Sequence, residues 1–277
     1  MKAAEDKDYV QSLERGLAVV LAFSDKHPRL TLGQLAELTG LSRPTVRRLV
    51  LTLERLGYVR EESRAFELTP HVLALGYAFT SSLNLTELAQ PHMEEVTEVT
   101  GHTVSLAALD GEEAVFLLRV PSRRAMAHLL LTGTRLPAFA SAIGRVLLAG
   151  LADNDVDAFL RNARLTRLTA HTETDPDRLR EAVAAVRRRG WELVDQELEE
   201  GVRSFSAPVR ATGGRVIAAL GMSVPAGKVS VSEIHQEYLP VVVKAADEIS
   251  IRLGASYHPN GQPASHPPTP RESSAHA

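Results

Sequence analysis

The sequence predicts an α+β protein of two domains, a small winged helix-turn-helix at the N-terminus and a larger domain built on an antiparallel sheet. Three observations predict it. Two short, capped helical patterns stand a few residues apart around Gly40 and are followed at 58–68 by a β-hairpin pattern. Beyond residue 84, strand-like segments joined by turns are flanked by helical patterns, the arrangement of helices on an antiparallel sheet. A length of 277 residues has room for two domains on the usual scale of roughly 150 residues each.

Behind the charged leader, Leu13, Leu17, Val20 and Leu21 recur at helical spacing after a potential cap at Ser12, which predicts an amphipathic first helix with these residues on its buried face. Thr31 and Gln34 form a T-x-x-Q capping box that opens the next helix, with Leu35 and Leu38 apolar and Gly40 available to end it. Ser42 caps the following helix, and Pro44 sits in its first turn, where a missing amide hydrogen costs nothing. YVREESRAFEL then reads as the hairpin, or wing, closing a winged domain over 10–69. Thr69 and Pro70 look like the cap and first residue of a linker helix over 70–83.

The larger domain spans 84–254 and opens on a helix with Asn84 and Glu87 as a capping pair and Gly101 as its stop. Strand-like HTVSLAALD, EAVFLLRV and MAHLLLTG follow, then helical patterns near 142–150, 153–161 and 176–189. WELVD, SFSAPVR and RVIAALGMSV are strand-like, the last two flanking the turn ATGG, and Ser230 with Glu233 opens a long final helix. Residues 255–277 are too polar and proline-rich to bury a core, so a disordered tail is expected. No internal repeat is present.

Composition narrows the chemistry. A hydrophobic content of 44% supplies real cores, and a formal net charge of −3 excludes a protein that grips polyanions with its whole surface while allowing a local basic patch. The absence of cysteine excludes disulfides, thiolate nucleophiles and Cys-ligated zinc. MKAAEDKDYV lacks the apolar core of a signal peptide, and no run of about 18 apolar residues occurs. A cytoplasmic protein with no membrane segment is expected.

The second helix of the pair carries the most specific signal. As a helix over 42–56 it places Val46, Leu49, Val50, Leu53 and Leu56 on one side and Pro44, Arg48, Leu51 and Arg55 on the other, with Arg47 and Thr52 at the flanks. By itself a run of arginines on a helix implies a solvated face. Here, however, residues 42–64 hold six arginines (43, 47, 48, 55, 60, 64) against three carboxylates (54, 61, 62), while the whole chain has more acids than bases. A recognition helix presents its N-terminal side chains to base edges, and flanking arginines and helix-start amides hold phosphates. The candidate contacts to double-stranded DNA are Thr31 and Ser42 at the two helix starts, Arg43, Thr45, Arg47 and Arg48 on the helix, and Arg60 and Arg64 on the wing. Leu51 on the outer face fits a thymine methyl or a partner chain.

In the larger domain the acids Asp195, Glu197, Glu199 and Glu200 read either as a metal or acid/base cluster or as loop carboxylates paired with nearby arginines, the commoner use of such a run. No metal or cofactor is expected. No G-x-S-x-G, H-E-x-x-H or phosphate-cradling glycine loop occurs, so nothing argues for an enzyme.

These residues also resemble the IclR family of bacterial transcription regulators over nearly all of 10–254. TLGQLAELTGLSRPTVRRLVLTLERLGYV is similar to the family's helix-turn-helix; RLPAFASAIGRVLLAGL and RRRGWELVDQELEEGVRSFSAPVRATGGRVIAALGMSVP are similar to segments of its effector domain. VDQELEEGVRS and RVPSRRAMAHLLLTGTRLP look most like the PcaR/PcaU/PobR branch, whose members respond to protocatechuate, 4-hydroxybenzoate or β-ketoadipate. The resemblance implies a dimer or tetramer, a GAF-like effector domain, and a pocket near His128, Leu130, Leu136, Ala142, Ile143, Val202, Ser204, Gly221 and Ser223. Ile143 is bulkier than the alanine common in the family and Val194 replaces a common acid, departures that speak against a pocket for a small oxo-acid.

The residues themselves allow an organic-acid site. Ser204, Ser223 and the amides around Ala142–Gly144 are converging donors. Arg119, Arg123, Arg124 and Arg203 are each a carboxylate partner or a surface charge, and His128 is a ligand or a packed core histidine. At this level a regulator without a ligand and a small-molecule enzyme with a winged interaction module stay open beside an effector-responsive DNA-binding regulator of aromatic-acid catabolism.

Overall fold

A computed structural model describes residues 8–24, 26–76, 84–122 and 132–255. The chain divides into two compact units, one up to Ser82 and one from Leu83.

The first unit contains helices α1 (Gln11–Leu21), α2 (Leu32–Thr39) and α3 (Arg43–Arg55), and a hairpin of β1 (Val59–Glu62) and β2 (Ala65–Leu68). Thr31 and Gln34 form the full capping box of α2, which ends at Gly40 in the left-handed conformation (φ 66°) that glycine adopts without strain. Ser42 caps α3 by accepting from the Thr45 amide, and Val46 and Val50 are its buried residues. They join Val19, Phe23, Leu30, Leu35, Val59 and Phe66 in one core. Leu30 bridges Phe66, which fastens the hairpin to the chain entering α2.

Three expectations for this unit need correction. Ser12 does not cap α1; the helix begins behind Val10 with no side-chain cap. Its buried residue is Val19, while Leu13, Leu17 and Leu21 are exposed, because apolar residues lie on both sides of α1 and periodicity alone does not say which side meets the core. Leu56 is 59% exposed, since α3 stops at Arg55 and the chain reverses at Gly57 (φ 82°). After the wing, Thr69 caps a 3-10 turn at Pro70–Val72; the expected linker helix is helical at 73–76 and otherwise lies outside the described residues, as does the expected tail apart from Ala255.

The second unit is built on a six-stranded antiparallel sheet of order β5-β4-β3-β8-β7-β6, from β3 (Val104–Asp110), β4 (Glu113–Val120), β5 (Arg135–Pro137), β6 (Glu192–Asp195), β7 (Val202–Arg210) and β8 (Val216–Pro225). One face is covered by α4 (Leu85–Thr100) and by α8 (Leu239–Arg252), which continues from the Ser230/Glu233 capping box through a π-helical segment at Ile234–Tyr238. Asn84 does not cap α4: it is itself left-handed (φ 47°) and its side chain accepts nothing. Met93, Leu106, Phe205, Leu220, Met222, Val242 and Ile249 form the core on this side. The other face carries α5 (Ala142–Ala149), with α7 (Pro176–Arg189) against it and α6 (Asp153–Asn162) against α7. Phe116, Ile143, Val146, Leu147 and Ala219 form the core on this second side; at about 1.5–3 kcal/mol per large buried apolar side chain, the two cores hold the sheet as the middle layer and fix which strand residues face α5.

Candidate functional site

In the winged unit, Arg43, Arg47 and Arg48 are exposed at the start of α3 and form no ion pair among the described residues. The Arg43 guanidinium reaches the first turn of α2 at Gly33. A Cβ built on Gly33 would stand 3.2 Å from its guanidinium, so the glycine makes room for it. The hydroxyls of Thr31, Ser42 and Thr45 serve the two helix caps, with Ser42 Oγ and Thr45 Oγ1 2.9 Å apart. Two helix N-termini, each with orphan amides and a positive dipole end, therefore open beside three unpaired guanidiniums.

The wing divides its charges by face. Arg60 pairs in register with Glu67, and Glu61 with Phe66. Strand alternation then puts Arg60, Glu62 and Glu67 on one face and Val59, Glu61 and Phe66 on the other. On the first face Arg60 and Arg29 both bind Glu67, and Arg29 also binds Glu62 at 2.5 Å. The Arg60 hydrogen bond, supported by Arg29, holds the Glu67 carboxyl below its usual range. Arg60 is thus a tied charge on the back of the wing, whereas Arg64 is an exposed one at its tip with no ion pair among the described residues. The two turn residues, Ser63 and Arg64, both have positive φ (54° and 66°), as a two-residue hairpin turn matched to strand twist requires.

Between α3 and the wing's inner face runs an open groove of about 740 Å³. Leu32, Pro44, Leu51 and Phe66 contribute apolar surface, and Arg43, Arg47, Arg64 and Glu61 line it as well. Leu51, which the helical wheel left on the outer face, belongs to this groove. Glu61 and Leu32 were not singled out from the sequence; the inward alternation of the hairpin would have found Glu61.

In the second unit, four of the residues expected to line a pocket, Leu136, Ala142, Ile143 and Gly221, lie at the start of α5. Ser141 caps α5 by accepting from the Gly144 amide at 3.1 Å and donates to the Pro137 carbonyl. A Cβ on Gly144 would stand 2.2 Å from the Ala138 carbonyl oxygen, so only glycine lets the Pro137–Ala140 segment fold against the helix. The amides of Ala142 and Ile143, in the first turn, have no acceptor within the helix. Ile143 lies on Gly221 of β8, where an added Cβ would come within 2.8 Å of its Cδ1. Leu136 packs in the same cluster.

Register and alternation bring further residues to this face. Phe205, Ala207, Met222 and Val224 point toward α4 and α8, so Val202, Ser204, Ser206, Gly221 and Ser223 point toward α5. One cross-strand row reads Glu192, Ser206, Gly221, Ser105, Arg119, and the next Val194, Ser204, Ser223. Of the arginines considered from the sequence, Arg119 shares the α5 side with its partner Ser105. It sits 5.6 Å from the Phe116 ring centroid, and burial lowers its pKa from the usual arginine value. Arg203 is on the opposite face, bound to Asp195 and to the carbonyls of Ala226 and Val229, a structural role. His128, Leu130, Arg123 and Arg124 lie outside the described residues. Ser105 and Ser206 went unnoticed in the sequence because a lone serine inside a strand carries no signal.

Two acids of the loop are used structurally. Glu197 takes a double hydrogen bond from Arg145 and another from the Glu173 amide, and Asp195 is held by Arg203. No helix among the described residues is long and apolar enough to cross a membrane.

A winged helix-turn-helix whose α3 starts on arginines with no ion pair among the described residues, followed by a separate domain on an antiparallel sheet, is the build of a transcription regulator with an effector domain. The chain matches the model of the IclR helix-turn-helix domain over residues 12–63 and that of the bacterial transcriptional regulator IclR C-terminal domain over residues 77–251. It belongs to the IclR family of bacterial transcriptional regulators. Among its relatives, the Pca regulon regulatory protein of Pseudomonas putida is 37% identical over 249 residues, covering 90% of this chain and 86% of that protein. The crystal structure of a transcriptional regulator from Rhodococcus sp. RHA1 superposes with a TM-score of 0.79 at 45% identity, covering 89% of this chain and 99% of that one. An IclR homolog from Microbacterium hydrocarbonoxydans, solved in complex with 4-hydroxybenzoate, gives a TM-score of 0.78 at 27% identity over 88% of this chain and 99% of that one.

Proposed function

We propose that the protein is an effector-responsive, DNA-binding transcription regulator of aromatic-acid catabolism genes, working as a cytoplasmic homodimer or tetramer. The observation that carries the DNA assignment is the group of unpaired arginines at the start of α3, beside the two helix N-termini. Arg47 and Arg48 reach base edges, Arg43 and Arg64 hold flanking phosphates, and the cap hydroxyls of Thr31, Ser42 and Thr45 add short-range contacts. Arg60, already bound to Glu67, contributes orientation rather than charge.

The effector site is the face of the second sheet under the start of α5. A carboxylate there meets the Ala142 and Ile143 amides, with Ser105, Ser204 and Ser223 as hydroxyl partners and Arg119 as the nearby cation. Leu136, Val202 and Ile143, the last seated on Gly221, receive the apolar body of the ligand, which His128 and Leu130 help to enclose. The 4-hydroxybenzoate in the Microbacterium homolog and the similarity to a Pca regulon regulator support an aromatic acid. Ile143, bulkier than alanine, favours a flat ring over a small oxo-acid.

Self-association is supported by α1, where Val10, Leu13, Leu17 and Leu21 form an exposed apolar stripe at helical spacing. Such a stripe is self-complementary about a two-fold axis, and two copies on one duplex read two half-sites a helical turn apart. A ligand that binds one arrangement of the dimer better than the other shifts operator affinity by that difference. Thermal-shift titration with 4-hydroxybenzoate, protocatechuate and β-ketoadipate tests the sensor role: a ligand at 100 times its Kd raises stability by about 2.7 kcal/mol, and no shift with any aromatic acid overturns it.

A further inference from the structure

The groove beside α3 contains a single carboxylate among its described lining residues, Glu61, facing a surface supplied by Arg43, Arg47 and Arg64. The wing's other acids, Glu62 and Glu67, are on the opposite face and are neutralised by Arg29 and Arg60. Glu61 has no such partner. It is exposed and forms no ion pair among the described residues, although Val59, two residues earlier on the same side of β1, and its cross-strand neighbour Phe66 are both buried. A solvated acid with no partner contributes little to the fold, so its effect falls on whatever enters the groove.

Two properties of that acid decide the effect. Arginines donate only, so Arg43, Arg47 and Arg64 accept any phosphate and any guanine edge; a carboxylate accepts only. Glu61 therefore repels the phosphate that three arginines attract, and it alone among the charged lining residues can take a base amino group, cytosine N4 or adenine N6. Sequence-independent binding rests on phosphates. The penalty from Glu61 consequently weighs on every duplex, and only one that presents an amino group opposite the groove recovers it.

Building on the DNA-binding reading above, we infer that Glu61 is a specificity-determining residue: it lowers affinity for arbitrary DNA and thereby widens the gap between operator and background. The test uses the full-length protein and its Glu61→Gln variant in fluorescence-anisotropy titrations, across a series of salt concentrations, against a duplex enriched by the wild type from a random pool and against unenriched random duplex. Matching thermal midpoints and circular dichroism spectra establish that the exposed substitution leaves the fold intact. The variant is expected to bind random duplex about 3- to 10-fold more tightly, with a salt slope steeper by about one phosphate contact, while the enriched duplex gains less or weakens, so the specificity ratio falls. Equal tightening on both duplexes, or no change on either, overturns the inference. If the wild type enriches no duplex at all, the DNA-binding reading fails first, and that result is distinct from a variant that leaves the ratio unchanged.

Discussion

The guanidinium of Arg145 and the carboxylate of Glu197 face each other in a double hydrogen bond, Nη1 to Oε1 at 2.9 Å and Nη2 to Oε2 at 2.5 Å. Both side chains are largely buried, and Arg145 Nε also donates to the Phe139 carbonyl. The pair ties α5 to the loop after β6. That loop in turn accepts hydrogen bonds from Thr169 and Thr172. Removing one partner strands a buried charge, so Glu197→Ala should destabilise the second unit by about 3–5 kcal/mol. Chemical denaturation checks this; a loss below about 1 kcal/mol would show that the pair is solvated in practice.

A buried acid on the same side of the sheet behaves differently. Glu192 is paired with Arg189, yet its Oε2 has no hydrogen-bond partner among the described residues. Burial raises its carboxyl pKa above 4.5 despite the pull of Arg189 and Arg145. A raised folded-state pKa means that the native state holds this proton more tightly than the unfolded chain. Its contribution is therefore fully present below the ordinary carboxylate value and is lost as pH rises through the folded-state value. Glu192→Gln should flatten that dependence, so that thermal midpoints at pH 5 and pH 8 differ less in the variant than in the wild type. Identical pH profiles would contradict the assignment.

The contact between Ile143 and Gly221 offers a size test of the proposed effector face. Gly221→Ala places a methyl within 2.8 Å of Ile143, which should cost about 1–3 kcal/mol of stability by overpacking and weaken aromatic-acid binding. Adding Ile143→Ala should restore much of both, since it removes the colliding atoms. A double variant no better than Gly221→Ala in calorimetry and in 4-hydroxybenzoate titration would place the ligand elsewhere.

At the wing tip, Ser63 and Arg64 occupy the left-handed region, where a side chain costs about 1–2 kcal/mol per residue relative to glycine. Ser63→Asn with Arg64→Gly supplies the preferred Asn-Gly pair. Hydrogen exchange at the hairpin amides of the full-length chain should slow by up to an order of magnitude, while DNA affinity falls and the salt slope drops by about one contact. Slower exchange with unchanged affinity would remove Arg64 from the interface.

Local chemistry was legible in the sequence wherever a rule acts over a few residues. The Thr31/Gln34 and Ser230/Glu233 capping boxes, the cap at Ser42 and the other strand and helix segments of the larger domain stand where they were expected, whereas the strand expected at MAHLLLTG lies largely outside the described residues and β5 at Arg135–Pro137 was not foreseen. What required the third dimension was orientation. Leu13 and Leu17 have helical spacing but lie on the wrong side of α1 because core contact, not periodicity, selects the buried face. Arg60 looked like Arg64 until the hairpin register set it against Glu67. Ser105 and Ser206 reach the α5 side of the sheet only through pairing with strands far away in sequence, and Asp195 and Glu197 of the DQELEE loop took structural roles once Arg203 and Arg145 were seen to reach them.

The central claim, that the start of α3 reads DNA under control of an acid bound in the second unit, is tested most directly by one pair of titrations. Wild type and an Arg47→Ala/Arg48→Ala variant are titrated against the enriched duplex by anisotropy, with and without saturating 4-hydroxybenzoate. Two lost base-contacting arginines should weaken binding by roughly 30-fold or more, at about 1–3 kcal/mol each. The thermal shift with 4-hydroxybenzoate should stay unchanged in the variant, and the ligand should alter duplex affinity in the wild type. Undiminished duplex binding by the variant, or wild-type affinity indifferent to every aromatic acid that binds, would contradict the account.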